Sequence, residues 1–129
     1  MKITANTTFI LLLTLLLINC GEKTGSSDPI SYSKQVAPIL QTHCLKCHNS
    51  TGEGFKASGL NMESYAGLMA GTKFGPVIVP GNALSSTLVR LISGKADPAI
   101  TMPHGEMHLM KDQEIKIIEH WIDQGAKDN

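Results

Sequence analysis

The chain has 129 residues, with 11 basic and 11 acidic side chains and a formal net charge of zero. That length holds one domain and an address segment, and balanced charge without single-sign blocks argues against a nucleic-acid partner. Aromatic residues make up only 5% of the sequence, so few large rings are available to fill a core.

Lys2 and a polar lead precede an apolar run from Phe9 to Ile18. The run is short for a membrane-spanning helix, which needs roughly 20 residues, and suits the hydrophobic part of a secretory signal. Leu17-Ile18-Asn19-Cys20-Gly21 follows and resembles a bacterial lipoprotein box, with Asn19 departing from the usual small residue. We therefore expect a signal peptide over 1–19 and lipidation at Cys20. Residues 20–30, polar from Gly21 to Pro29, read as a flexible tether. An uncleaved amino-terminal anchor is the alternative. Either places the domain, residues 31–129, on the periplasmic side of a bacterial membrane, with a secreted protein as the other alternative.

Within the domain, Tyr32, Val36, Ile39 and Leu40 recur at helical spacing, and Pro38 inside that pattern predicts a kink or a late start. Asn49 to Gly59 reads as loop. A short helix over Ser64 to Ala70 would present Tyr65, Leu68 and Met69. Gly71 to Gly81 carries two prolines and reads as a buried extended loop around Val77-Ile78-Val79. Ser85 to Ser93 predicts a helix with Leu88, Leu91 and Ile92 on one side and Gly94 as its cap. Ala96 to Met110 is irregular. The last helix starts at Asp112, carries Ile115, Ile118, Trp121 and Ile122 on its apolar face and closes at Gly125. No alternating strand pattern appears, so the fold class is all-α, with three to five helices. Their long loops need something to pack against.

The chemistry lies in His43-Cys44-Leu45-Lys46-Cys47-His48. Two cysteines three apart, followed by histidine, are the sequence sign of covalent haem attachment. Cys44 and Cys47 would form thioethers, and His48 would face the iron as proximal ligand. A zinc site would call for a second pair of Cys or His ligands, and no cysteine follows Cys47. A thioredoxin-type pair would call for a βαβ setting. A structural disulfide would close only a tiny loop.

A low-spin carrier needs a sixth ligand from later in the chain. Met102 is the first choice, because Pro103 biases it toward an extended backbone. His104, His108 and Met107 are alternatives. Met62 and Met69 are assigned to the core, and Met110 to a staple before the last helix. Arg90 is a candidate propionate contact, with a solvated surface role equally open. His43 reads as a surface or packing residue and His120 as solvated. Trp121 and Tyr65 would line the haem pocket or serve the core alone.

These stretches together resemble the planctomycete-type cytochrome c domain. The matching parts are Val36-Ala37-Pro38-Ile39-Leu40, the haem motif, Gly59-Leu60-Asn61-Met62 with Tyr65, and Gly75 to Gly81 with Ser86 and Leu88. Met102-Pro103 and Trp121-Ile122-Asp123-Gln124-Gly125-Ala126 complete the set. The resemblance implies a cytochrome c-like fold around one covalent haem c, with crossing terminal helices and Met102 as distal ligand. Lys111 departs from the family's serine cap. The expected function is one-electron transfer between exported or membrane-bound redox proteins, by a monomer that is not an enzyme. A gas-binding or catalytic haem with an open distal site is the rival, as is a haem-stabilised docking module.

Overall fold

The computed structural model describes residues 28–104 and 110–129. The expected signal peptide, Cys20 and most of the expected tether lie outside the described residues, as do Met107 and His108. Among the described residues the chain is helical, with an isolated bridge between Thr72 and Gly75 and no strand. No helix there is long and apolar enough to cross a membrane.

A π-helical turn, Tyr32–Val36, runs into α1, Ala37–His43. Ser31 caps it, its hydroxyl accepting the Lys34 N–H at 3.3 Å. Val36 N–H reaches back to Ser31 O at 3.3 Å, and Ala37 N–H to Tyr32 O. The irregularity expected at Pro38 is thus a change of helical register just before it. Pro38 falls in the first turn of α1, where proline is best tolerated.

The segment read as loop contains α2, Glu53–Ser58. Gly52 and Gly54 hid it, since glycine opposes helix. The favourable signals were Glu53 in the first turn, its 2.7 Å ion pair with Lys56, and Gly59 in the left-handed conformation at φ 79°. The next helix, α3, spans Tyr65–Ala70, and the Ser64 hydroxyl accepts the Gly67 N–H at 3.1 Å.

The chain from Gly71 to Gly81 is an irregular loop with turns at Lys73-Phe74 and Pro80-Gly81, and it buries Val77 and Ile78 while Val79 is exposed. Its anchors are polar. Leu88 N–H donates to Val77 O at 2.9 Å and Gly81 N–H to Ile122 O at 2.7 Å. The fully buried Ser86 hydroxyl accepts from Val79 N–H and donates to Asn82 O, both at 2.9 Å. After it, α4 spans Thr87–Ile92, with Gly94 at φ 66° just beyond its end.

The last helix, α5, is Asp112–Asp123. Glu114 Oε2 accepts the Lys111 N–H at 2.8 Å, half of a capping box. Lysine has no acceptor to return the bond, so the Lys111 side chain leaves the other half of the box unmade. The π-helical turn and α4 both rest against α5. Val36, Leu68, Ile118 and Ile122 have almost no exposed surface, and burying an aliphatic side chain of that size contributes about 1.5–3 kcal/mol.

Tyr32, Tyr65 and Trp121 stack into one aromatic cluster, with centroids 5.2, 5.4 and 6.4 Å apart. Its polar tips are satisfied. Tyr65 OH donates to Ala126 O at 2.8 Å and Trp121 Nε1–H to Lys127 O at 2.9 Å. Asn129 Oδ1 accepts the Tyr32 N–H at 2.8 Å, fastening the last residue to the start of the first helix.

Candidate haem-binding site

The site grows out of the end of α1. Cys44 and Leu45 N–H both donate to Leu40 O, at 2.8 and 3.0 Å, and Cys47 and His48 N–H both donate to Cys44 O, at 3.1 and 2.9 Å. This tight turn sets Cys44, Cys47 and His48 along a cavity of about 400 Å³, within the range of cofactor pockets. Most other walls are apolar. Leu60 and Met62 follow α2, Leu88, Leu91 and Ile92 come from α4, and Met102 with Pro103 comes from the loop after it.

Cys44 is buried, Cys47 partly so, and both are free thiols. Burial first, and the neighbouring Cys47 second, push the Cys44 thiol up to about 11. Such a thiol stays protonated near neutral pH and is a poor attacking group, the reverse of an activated redox pair. Among the described residues no group of three or more His, Cys, Asp or Glu could hold a metal ion directly. The two thiols and the imidazole instead face a shared apolar volume.

His48 is buried, and its Nδ1 lies 3.3 Å from Leu60 O. A carbonyl only accepts, so Nδ1 carries the proton and Nε2 keeps its lone pair. Burial pushes the His48 pKa below its ordinary value; the Leu60 bond opposes this, and charge on His104 adds to it. The ring is held neutral, the form that ligates a metal.

Met102 is half-buried and lines the cavity. Its N–H donates to Leu91 O at 3.1 Å, which pins the loop to the end of α4. His104 lines the same cavity and is exposed. Met62 and Met110, read from sequence as core and staple, are buried and also form its wall, whereas Met69 only packs against the core. Arg90 lies exposed on α4, outside the lining.

Trp121 and Tyr65 do not line the cavity. They belong to the aromatic cluster with Tyr32, because their hydrogen bonds run to the carboxyl-terminal segment. His43, read as a surface or packing residue, forms part of the cavity wall. Its Nε2 is 3.3 Å from Glu114 Oε2. His120 is exposed, as expected. The reading from sequence missed Gly54, which also lines the cavity; the only signal was the pair Gly52 and Gly54 shortly after the haem motif.

Residues 44–106 match the family model for planctomycete cytochrome C. Over that stretch the chain is similar to a planctomycete cytochrome C domain. The match takes in the haem motif and Met102-Pro103 but stops short of the resembling stretches before Cys44 and at Trp121 to Ala126. No curated protein and no solved structure matches the chain. A cytochrome c domain implies haem c, and the residues present fit that group. Two thiols stand at the required spacing, a buried imidazole has Nε2 free, and the volume beside them is apolar.

Proposed function

We propose that the protein is a single-haem c-type electron carrier, with Cys44 and Cys47 as thioether anchors, His48 Nε2 as proximal ligand and the Met102 sulfur as distal ligand. The observation that carries this reading is that all four residues line one largely apolar cavity of about 400 Å³. The haem would supply an iron that cycles between ferric and ferrous states. The chain's own part is to hold that group, exclude water and keep both ligands in place, so that little rearrangement accompanies transfer. The Leu60 carbonyl fixes the His48 tautomer, and the Leu91 carbonyl fixes the Met102 backbone. Apolar walls from α4 lower the local dielectric, one of the levers on redox potential.

The partners in this reading are exported or membrane-bound redox proteins, and the tether with its lipidated Cys20 holds the domain at a periplasmic membrane surface. A second reading of the distal side is favoured by one observation. His104 lines the cavity and is close enough to act electrostatically on His48. Ligation by His104 would keep the carrier function but lower the potential relative to methionine.

The test is a visible spectrum of the full chain co-expressed with a haem-attachment system, oxidised and reduced, before and after denaturation. A c-type signal that survives denaturation, low-spin in both oxidation states, supports the carrier. A high-spin c-type signal that binds carbon monoxide at once moves the function to ligand binding or catalysis. Haem lost on denaturation would exclude the covalent attachment.

A further inference from the structure

Gly54 stands inside α2 with φ in the ordinary helical range. No left-handed backbone requires glycine there, and alanine would suit the helix better. Space accounts for it. A Cβ on Gly54 would stand 2.8 Å from Cε1 and 2.9 Å from Nε2 of His48, and 2.9 Å from Cys47 O. Those separations are well inside ordinary van der Waals contact.

The helix is not free to back away. Phe55 N–H donates to Cys47 O at 3.0 Å, and Lys73 N–H donates to Ser58 O at 2.9 Å, so α2 is tied to the haem motif at its start and to the following loop at its end. Gly52 tightens the same approach, since a Cβ there would fall on the Cys47 carbonyl. His48 is therefore confined from two sides. Leu60 O holds Nδ1, and the bare backbone of Gly54 leaves no room for a side chain beside Cε1 and Nε2.

We propose that Gly54 is a positioning residue for the proximal haem ligand: without a side chain it lets α2 close on His48, and the closed helix fixes the direction in which Nε2 presents its lone pair. The inference rests on the reading of His48 as axial ligand. Neighbours that orient a ligating histidine typically change metal affinity by about 10–100-fold when disturbed. Here the orienting contact is packing against the ring rather than a hydrogen bond, so adding one methyl group is the direct perturbation.

The experiment compares holoprotein of the full chain with Gly54→Ala and Lys56→Gly. In Gly54→Ala the ferric high-spin fraction should rise about tenfold as the bond from His48 weakens. Lys56→Gly weakens the same helix from its exposed face without adding an atom near the ring. It should lower Tm and leave the spectrum unchanged. A wild-type spectrum in Gly54→Ala overturns the proposal, as does the same spectral change in Lys56→Gly. Should Gly54→Ala not accumulate, His48→Gly/Gly54→Ala is compared with His48→Gly alone. Equal yields of folded protein show that the added methyl strikes the ring. A lower yield in the double variant places the clash at the Cys47 carbonyl and overturns the proposal. Absence of covalent haem in the wild type would overturn the site reading first, before any variant is compared.

Discussion

His43 Nε2 lies 3.3 Å from Glu114 Oε2, joining the last residue of α1 to the first turn of α5 beside the candidate haem cavity. The same carboxylate accepts the Lys111 N–H at 2.8 Å, so one side chain caps α5 and neighbours a half-buried histidine. His43 Nε2 is shielded from solvent and makes no well-aligned hydrogen bond. Glu114 is therefore the charged neighbour through which α1 and α5 meet at the cavity edge.

Replacing Glu114 by alanine should cost about 1 kcal/mol, the size of a lost helix cap, as measured by urea unfolding. The pH dependence follows from the same contacts. The Lys111 N–H first, and His43 after it, hold the Glu114 carboxyl below its ordinary range. A carboxyl depressed in the folded state stabilises the protein above its unfolded pKa. That contribution is lost as pH falls through the folded value. Glu114→Gln should accordingly flatten the acid side of the stability profile and leave the neutral side nearly parallel to wild type.

Cys44→Ala and Cys47→Ala should each keep haem through a single thioether, whereas the double variant should release all haem into acid acetone. Haem staining of denaturing gels reads this directly. A double variant that still stained would mean attachment elsewhere in the chain.

Met102→Ala should turn the ferric protein high-spin and admit carbon monoxide in the ferrous state, while His104→Ala should keep the wild-type spectrum. Both residues line the cavity, so the pair of variants separates the two distal assignments. The reverse pattern would move the sixth ligand to His104.

Trp121→Phe should destabilise the fold by about 1–3 kcal/mol through loss of the bond to Lys127 O. Its haem spectrum should stay unchanged, because Trp121 packs on Tyr32 and not on the cavity. A shifted spectrum would place the indole closer to the haem than the fold does. Ser86→Ala should cost a similar amount for a related reason. Its hydroxyl is fully buried and serves both Val79 N–H and Asn82 O, and the alanine would leave both partners short of a bond.

Much of the helical layout was legible in the sequence because it rests on local properties. The period of Ile115, Ile118 and Ile122, the cap at Ser64 and the stop at Gly94 act over one or two turns, and the structure has helices at each place. The exception was α2. Its glycines lower helix propensity, and its ties to Cys47 O and Lys73 N–H are tertiary. Propensity alone therefore predicted loop where packing made a helix.

The sequence by itself determined the haem motif, since Cys44, Cys47 and His48 are fixed relative to one another by covalent spacing and a single turn. It also determined which segments are helical where a hydrophobic period or a cap was present. Tertiary structure decided which side chains wall the cavity. It brought Met62 and Met110 to the cavity, left Trp121 in the aromatic cluster, and brought Gly54 against the His48 ring. Those outcomes depend on how segments far apart in the chain close on each other, and no local pattern of residues records that distance.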